Sequence, residues 1–454
     1  MNKQIISRIL LAALAISAWL PQSVLVKAQT PVRGTPPATA PSPAQTVTAE
    51  QFAGASLETQ VIYGLQGVLV ETLDGKPVAV QSAEETFNPA SAIKLATALF
   101  TLRAFGPEHR FTTGIWTTGS LDKATGTLNG NLYISGRDPS FHYEHGVMIA
   151  RQLNLLGIRT VTGNLIVAPG FTMNFNWSAR RSGEQLYDTL DSSQRSAEAT
   201  RAWLYERSVL GDRASLQTVP TVAVMGDVEV NAVAMDAKLR LTQKSSKLVD
   251  ILKVMLCYSN NFMAERLGDS VGGLQSVRRQ LVSSLGISSN ELVMSSLSGL
   301  GVNRITPRSM MRILRSLRDE LRKNRLSLAD VLPVAGIDPG TLEDRFTGLA
   351  WRGSVIGKTG TLIRTDGGAS ALVGQMKTGT GETLLFVIMN RQGSVLRFRA
   401  NQDYLVMQIQ NSRGGPKAFD YKPHLLAMKL ADTQSVTSGN SEYEPALKGV
   451  VGSP

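Results

Sequence analysis

A serine and a lysine stand three residues apart, at positions 91 and 94, where a strongly helical pattern begins. Residues i and i+3 share one face of a helix, so the Lys94 amine can reach the Ser91 hydroxyl. A serine hydroxyl is a poor nucleophile until a base takes its proton. Lysine can be that base if its pKa falls by about 3 units, or about 4 kcal/mol, and burial or a nearby positive charge lowers it in this direction. The spacing therefore predicts a serine nucleophile, provided that the fold supplies a second cation.

Two further motifs carry residue types that suit this chemistry. Ser259-Asn260-Asn261 separates two helical patterns, and Lys358-Thr359-Gly360-Thr361 ends a strand-like run. Each motif alone is typical of a capped helix, a polar loop or a strand turn. All three in this order, on a helix, an inter-helix loop and a strand, are much more specific.

The three motifs resemble those of the penicillin-recognising serine acyltransferases. Within this group the chain is similar to the low-molecular-mass class C penicillin-binding proteins, which are D-alanyl-D-alanine carboxypeptidases and endopeptidases. The residues around the nucleophile (88–91 and 106–111), residues 130–139 and residues 332–342 also resemble that family. The second motif departs from the pattern, because Asn260 stands where the family usually has aspartate, but we expect activity to survive.

The resemblance implies a role for each motif residue. Ser91 would attack a peptide carbonyl and form an acyl-enzyme, and Lys94 would accept its proton. Lys358 would add a positive charge that lowers the pKa of Lys94 and attracts a substrate carboxylate. The oxyanion would bind the backbone N–H groups of Ser91 and Thr361, each of which is worth about 10²–10³ in rate.

The remaining motif residues would handle the leaving group and the substrate. Ser259 would relay a proton to the leaving amine, while Asn261 would hold the substrate amide and orient Lys94. Thr359, Gly360 and Thr361 would bind the terminal carboxylate. No metal or organic cofactor is expected.

The resemblance implies an exported serine D-alanyl-D-alanine carboxypeptidase, with endopeptidase activity on cross-linked peptidoglycan. Its partners would be peptidoglycan stem peptides, with β-lactams as covalent inhibitors. Two alternatives stay open. A β-lactamase would share the motifs but release its acyl group within seconds. A non-enzymatic peptidoglycan-binding or sensor protein would release no D-alanine.

The start of the chain has the pattern of a secretory signal peptide. Lys3 and Arg8 precede an apolar run from Ile9 to Leu20, and small residues follow, so we expect cleavage near Ala28 and a location in the periplasm or outside the cell envelope. The formal charge of the whole chain is +11, and it falls to +8 without residues 1–28. A basic exported protein can contact anionic envelope polymers, whereas nucleic acid is disfavoured.

The chain is expected to form an α/β (α+β) penicillin-binding fold with a mostly antiparallel five-stranded sheet covered by helices on both faces. Two strands would flank Asp74-Gly75 and three would follow residue 354. The domains predicted, in chain order, are a signal peptide (1–28), a disordered linker (29–47), a catalytic domain (48–113 and 239–413) interrupted by an inserted α/β module (114–238), and a loose tail (414–454). The polar section 178–213 fits no element clearly, and oligomeric state is not predicted.

Several other residues could carry chemistry but have simpler interpretations. Lys377-Thr378-Gly379-Thr380 repeats the third motif, yet a hairpin turn fits it better. His142 and His145 could pair on a metal, but surface histidines fit better without further metal-ligand spacing. Asp138 fits an Asp-Pro turn better than a substrate contact. Cys257, the only cysteine, is expected to be a buried, inert thiol.

A phosphate-binding loop and a Ser-His-Asp hydrolase are both rejected. A phosphate loop needs glycine five residues before the Gly357-Lys358 pair, and Arg352 is there instead. A Ser-His-Asp enzyme of the common type needs a G-x-S-x-G elbow, which the sequence lacks.

Overall fold

The computed structural model describes residues 45–46, 61–62 and 64–438, the first two pairs by their backbone alone. The predicted signal peptide and most of the predicted linker lie outside these residues, and so does the chain after residue 438. Within the described part, no helix combines the length and apolar character that crossing a bilayer requires.

The strands are, in chain order, β1 (Gln45–Thr46), β2 (Val61–Ile62), β3 (Leu65–Thr72), β4 (Pro77–Gln81), β5 (Thr112–Thr117), β6 (Ser120–Asp122), β7 (Thr127–Asn129), β8 (Leu132–Gly136), β9 (Thr160–Val161), β10 (Leu165–Val167), β11 (Ala223–Val224), β12 (Val228–Val230), β13 (Lys238–Lys244), β14 (Val355–Leu362), β15 (Ala369–Lys377), β16 (Thr383–Arg391) and β17 (Gln434–Thr437). The helices are α1 (Lys94–Phe105), α2 (Tyr143–Leu155), α3 (Ala179–Leu190), α4 (Ala197–Val209), α5 (Arg213–Leu216), α6 (Leu248–Tyr258), α7 (Asn261–Ser270), α8 (Gly273–Leu285), α9 (Pro307–Lys323), α10 (Val395–Asn411) and α11 (Leu426–Ala431). Short 3-10 helices occur at Ala90–Ile93, Ser289–Glu291, Leu328–Asp330 and Thr365–Gly367.

The sheet that carries the third motif has five antiparallel strands in the order β14-β15-β16-β3-β4. Successive side chains of a strand point to opposite faces, and both faces are buried here. Leu385, Val387 and Met389 of β16 pack with α1, α6 and α9, whereas Leu384 and Phe386 pack with α10. The predicted fold class, with two early strands, three late strands and helices on both faces, is confirmed.

The middle of the chain builds two further sheets around a separate core. One sheet has six strands in the order β12-β10-β8-β5-β13-β17, and the other has four in the order β11-β9-β7-β6. β5 and β13, which begin and end this segment, are antiparallel neighbours, so the chain leaves and re-enters at one place. The predicted boundaries of the catalytic domain and the inserted module stay a prediction.

The polar section 178–213 contains α3 and α4, which the sequence pattern did not define. Each helix starts at a serine, Ser178 or Ser196, whose side chain accepts a backbone N–H of the first turn. Few of their side chains are large, apolar and buried, such as Leu186 and Trp203, and this explains why the apolar period is weak.

Residues 415–438 are not the loose tail that the sequence suggested. Helix α11 packs against α6, and β17 extends the six-stranded sheet beside β13. Leu426 and Leu430 are buried by this packing, and the Arg110 guanidinium lies 2.9 Å from the Asp432 carboxylate. A helix of six residues is too short for its apolar residues to show a helical repeat in the sequence. Its stability comes from tertiary contacts, which the sequence pattern does not reveal.

A buried ion pair joins the middle of α6 to the segment that precedes β14. The Lys253 amine lies 2.6 Å from the Asp338 carboxylate and also donates to the carbonyl oxygens of Ala329 and Leu332. Both charged side chains are almost fully buried. Since a buried charge is stable only when it is paired and fully hydrogen-bonded, this contact holds α6 in one place. The second motif begins directly after α6.

Candidate active site

The first motif lies where the 3-10 helix Ala90–Ile93 runs into α1. The backbone turns sharply before it, since Ala90 has a φ of +45°, and the Asn88 side chain accepts the Ala90 N–H at 3.0 Å. A non-glycine residue at positive φ costs on the order of 1 kcal/mol and is common at functional sites. The turn leaves Ser91 partly exposed, with the Lys94 amine 2.9 Å from its Oγ.

Lys94 is fully buried, and three oxygen atoms surround its amine. Besides Ser91 Oγ, these are Asn261 Oδ1 at 2.8 Å and the Ser298 carbonyl oxygen at 2.6 Å. Burial above all, and then the positive charge of Lys358, hold the pKa of Lys94 well below its usual range. A neutral amine has two N–H donors and one lone pair. It can therefore donate to Asn261 and Ser298 while its lone pair faces the Ser91 hydroxyl.

The Ser298 carbonyl is held in place by a carboxylate of α7. Glu265 accepts the backbone N–H of Ser298 at 2.8 Å and that of Leu297 at 3.3 Å. Its negative charge opposes the fall in the pKa of Lys94, but burial and Lys358 outweigh it. The sequence analysis missed this residue. The spacing could have identified it, because Glu265 lies four residues after Asn261 and so shares its helix face.

Two glycines let neighbouring segments approach the turn that carries Ser91. A Cβ on Gly299, which has a φ of +88°, would lie 2.0 Å from the Ala90 carbonyl oxygen and 2.7 Å from the Ser91 nitrogen. A Cβ on Gly360 would lie 2.2 Å from the Pro89 carbonyl oxygen. Real Cβ contacts are longer than this, so the third motif can pack on the turn that carries Ser91 only with glycine at position 360.

The second motif is the break between α6 and α7. Ser259 ends α6 in the left-handed conformation, with a φ of 56° and a ψ of 39°. Asn260 is the N-cap of α7, and its Oδ1 accepts the Met263 N–H at 2.9 Å. This break turns Asn261 toward Lys94 and Ser259 toward Lys358, so one loop contacts both lysines.

The third motif lies on β14, at the edge of the five-stranded sheet. The fully buried Lys358 amine lies 2.9 Å from Ser259 Oγ and 2.7 Å from the Thr359 carbonyl oxygen. Burial lowers the pKa of Lys358 to about 7. Outside the bridge from Val334 to Ile356, no described strand pairs with the outer edge of β14. An extended peptide can therefore add to this edge by main-chain hydrogen bonds.

An arginine that the sequence analysis missed lies beside the third motif. The exposed Arg399 of α10 donates to Thr361 Oγ1 at 2.7 Å. Thr361 is partly exposed, whereas Thr359 is buried. The sequence gives no signal for the contact between Arg399 and Thr361, because α10 reaches the site only by packing on the sheet.

The structure thus brings the five residues predicted to be catalytic into one connected cluster. Hydrogen bonds join Ser91 to Lys94, Lys94 to Asn261, and Lys358 to Ser259, and the second motif joins the two halves. The roles of these residues stay predictions at this point. The cluster has the parts that acyl transfer needs: a hydroxyl, a buried base beside it and a second cation.

The repeated third motif and the single cysteine behave as the sequence predicted. The segment 377–380 forms the turn between β15 and β16, where Gly381 N–H donates to the Thr378 carbonyl at 2.9 Å. Cys257 is fully buried, and burial raises the pKa of its thiol to about 12. Asp138 is buried and accepts the Ser140 N–H at 2.8 Å, as a turn residue does.

The expectation of surface histidines is wrong for one of the two residues and only partly right for the other. His145 is 1% exposed, and His142 is intermediate. Both histidines lie at the start of α2, which packs on α4. His142 therefore faces Glu206 of α4, and His145 faces Glu144 of α2. His424, by contrast, is exposed.

The capping role of Asn260 predicts how the second motif tolerates asparagine where the family usually has aspartate. Asn260→Asp should leave the free energy of unfolding within about 0.5 kcal/mol, because aspartate caps a helix as well as asparagine. Asn260→Ala should lose about 1 kcal/mol, because the Met263 N–H loses its acceptor. Denaturant unfolding measures both, with Asn411→Ala, an exposed change of the same type, as control. If Asp costs as much as Ala, the amide nitrogen rather than Oδ1 holds the loop.

Comparison with known proteins identifies relatives of the whole arrangement. The chain is 27% identical over 450 residues to the D-alanyl-D-alanine carboxypeptidase of Actinomadura sp. (strain R39), covering 76% of this chain and 81% of that protein. It is also similar to the predatory endopeptidase of Bdellovibrio bacteriovorus in complex with an immunity protein, with a TM-score of 0.67, 21% identity, and coverage of 80% of this chain and 97% of the other.

A further solved structure has the same fold at similar identity. Penicillin-binding protein 4 of Haemophilus influenzae has a TM-score of 0.55 and 20% identity, covering 77% of this chain and 95% of that one in its complex with a β-lactam. The sequence profile of the D-Ala-D-Ala carboxypeptidase 3 (S13) family matches residues 53–179 and 209–410, which is more than half of the chain. The chain therefore belongs to the D-Ala-D-Ala carboxypeptidase 3 (S13) family.

Proposed function

We propose that this protein is an exported serine D-alanyl-D-alanine carboxypeptidase that also cleaves D-alanine cross-links of peptidoglycan as an endopeptidase. The observation that carries the proposal is the buried amine of Lys94, 2.9 Å from Ser91 Oγ in a cleft that also contains Lys358. The relatives support it, since one is a D-alanyl-D-alanine carboxypeptidase and another, the Bdellovibrio endopeptidase, has been seen acylated by penicillin G.

The first half of the reaction is acylation of Ser91. The neutral Lys94 amine takes the hydroxyl proton as Oγ attacks the carbonyl carbon of the penultimate D-alanine. The backbone N–H groups of Ser91 and Thr361 stabilise the negative charge on the carbonyl oxygen. As the C–N bond breaks, Ser259 relays the proton held by Lys94 to the leaving amine of the terminal D-alanine, and Lys94 is neutral again.

The second half of the reaction is deacylation. Lys94 takes a proton from water as the water oxygen attacks the ester carbon, and returns it to Ser91 Oγ as the shortened peptide leaves with a free carboxyl group.

Substrate recognition rests on the positive charges at the end of β14. The terminal carboxylate of the stem peptide would lie against Thr359 and Thr361, with the Lys358 ammonium near it. Arg399, which donates to Thr361 at 2.7 Å, adds a cation that stays protonated at every physiological pH. Because a carboxylate beside Lys358 favours its charged form, substrate binding also sharpens the difference between the two lysines.

Export and surface contacts belong to the same proposal. The basic start and apolar run of residues 1–20 support cleavage and passage across a membrane, and the substrate lies outside the cytoplasm. The net charge of +8 after cleavage supports peripheral contact with anionic envelope polymers. We also propose that residues 114–238 form an inserted module within the catalytic domain, as the adjacency of β5 and β13 supports.

A labelling and digestion experiment tests the activity. Wild-type protein should bind a fluorescent penicillin covalently and should remove one D-alanine from pentapeptide muropeptides, with cross-linked dimers converted to monomers, as mass spectrometry will detect. Ser91→Ala should lose labelling and all products, because the attacking oxygen is gone. Ser120→Ala, an exposed serine of β6, is the matched control and should behave as wild type.

Each other outcome points to a different function. Labelling that persists in Ser91→Ala would mean that another residue is the nucleophile. Release of the penicilloyl group within seconds would favour a β-lactamase. Labelling of Ser91 with no muropeptide product would favour a binding or sensor protein.

The two lysines generate a prediction about pH. Acylation needs neutral Lys94, so kcat/KM for the carboxypeptidase reaction should rise as Lys94 loses its proton, at a pH well below 10.5. Carboxylate binding needs charged Lys358, so kcat/KM should fall as pH rises through about 7. Together they give a bell-shaped profile.

Lysine variants test the alkaline limb of this profile. Lys358→Met should raise KM and remove the fall above pH 7, because no titrating cation remains at the carboxylate. Lys377→Met changes the lysine of the repeated motif in the hairpin turn and should keep the wild-type profile. An unchanged alkaline limb in Lys358→Met would assign that limb to another group.

A further inference from the structure

A second cluster of ionisable side chains lies away from the three motifs, at the start of α2. His142, Glu144 and His145 come from this first turn, and Glu206 reaches them from α4. Glu144 and His145 are at most 1% exposed, and Glu206 is 7% exposed. The proposed reaction uses none of these residues.

The four side chains are close enough to share one ion. His142 Nε2 lies 2.6 Å from Glu144 Oε2 and 3.3 Å from Glu206 Oε1, and His145 Nε2 lies 2.9 Å from Glu144 Oε1. The ligand atoms of His142, Glu144 and His145 all lie within 4.8 Å of one another. One nitrogen and two carboxylate oxygens thus point to a common centre.

The hydrogen bonds around the two imidazoles fix which nitrogen faces that centre. His142 Nδ1 donates to the Ser140 carbonyl oxygen 2.5 Å away. His142 Nε2 faces the two carboxylates and donates to Glu144 Oε2, so it is the nitrogen that would bind a cation once the cation displaces its proton. His145 Nδ1 accepts the backbone N–H of His142 at 3.1 Å. Its proton is therefore on Nε2, which donates to Glu144 Oε1. His142 is a potential ligand, and His145 orients the Glu144 carboxylate.

The two imidazoles are the main donors to the buried carboxylates. They contact both Glu144 oxygens, and Glu206 Oε2 has no described donor besides the neighbouring Glu144 carboxyl group. The neighbouring Arg207 pairs instead with Asp212 and the Ala431 carbonyl, and Asp138 accepts from Ser140. A divalent cation would take the place of the protons that two buried carboxylates and one imidazole share, and would balance the carboxylate charge in their stead.

We propose that His142, Glu144 and Glu206 bind a divalent transition-metal ion of the Zn²⁺ class, with His145 holding Glu144 in position. One histidine and two carboxylates are ligands that zinc accepts, and ligand atoms around a tetrahedral zinc lie about 3.3 Å apart. The separation of His142 Nε2 from Glu206 Oε1, 3.3 Å, matches this spacing. Glu144 Oε2 is closer to His142 Nε2, at 2.6 Å, so the Glu144 side chain must rotate slightly to reach the same spacing.

The position of the site gives the ion a structural role. His145 Nε2 also lies 3.3 Å from the Leu430 carbonyl oxygen of α11, and α11 packs on both α4 and α6. An ion at His142 would therefore join α2 and α4 at the place where α11 connects them to the five-stranded-sheet part of the molecule. The His142 side chain is 18% exposed, which gives the ion a path of entry.

Zinc binding to the purified full chain tests the proposal. After treatment with a chelator, calorimetric titration with ZnCl₂ should give one ion per chain and a higher melting temperature. Glu206→Gln and His142→Ala should weaken binding by more than about 100-fold, and His145→Ala by about 10–100-fold, because His145 only orients a ligand. Glu198→Gln on the exposed side of α4 and His424→Ala are matched controls and should bind as wild type.

Cobalt provides a readout that does not depend on activity. Co²⁺ should give visible d–d bands without the sulfur charge-transfer band that binding to Cys257 would produce, and Glu206→Gln should lose the bands. Glu206→Gln preserves the shape of the side chain, and penicillin labelling at Ser91 will report that each variant is folded. The proposal would be overturned if the wild type bound no stoichiometric zinc, or if Glu206→Gln and His142→Ala bound zinc as tightly as the wild type does.

Discussion

The positive charge of Lys358 acts on the Lys94 amine across a buried cleft, and the proposed chemistry depends on the result. Like charges in a buried cleft repel because little water screens them, so the charge of Lys358 favours the neutral form of Lys94. Burial contributes more than this repulsion to the low pKa of Lys94. Both effects require that the same packing encloses two amines that are far apart in the chain.

That packing is achieved by contacts that surround the motifs. The Lys253–Asp338 pair fixes α6 relative to the segment before β14, and Glu265 holds the backbone that carries the Ser298 carbonyl. Gly360 lets β14 approach the nucleophile turn. In the proposed reaction the motif residues supply the reacting groups, while buried polar contacts elsewhere determine the distances between them. A serine and a lysine one helical turn apart would be inert without these supports.

The sequence predicted the elements whose signals are local. The Asp74-Gly75 hairpin, the three late strands and the start of α9 at Thr306 all follow from turn residues, apolar runs or a helix cap. It also predicted the motif residues that meet in the cleft. Glu265, the Ser298 carbonyl and Arg399 were missed, because their contacts exist only after distant segments pack. The same holds for Glu206, whose meeting with His142 depends on the packing of α4 on α2, and for α11, whose leucines are buried by other elements.

The protonation state of Lys94 tests this account most directly. In protein labelled with ¹³C at lysine Cε, NMR titration should show the Lys94 resonance changing at a pH well below 10.5, with Lys94→Arg assigning the signal. In Lys358→Met the same resonance should titrate at a higher pH, because the repelling charge is gone. A Lys94 resonance that titrates near 10.5 in both proteins would contradict the account, since the amine would then be charged and could not take the proton of Ser91.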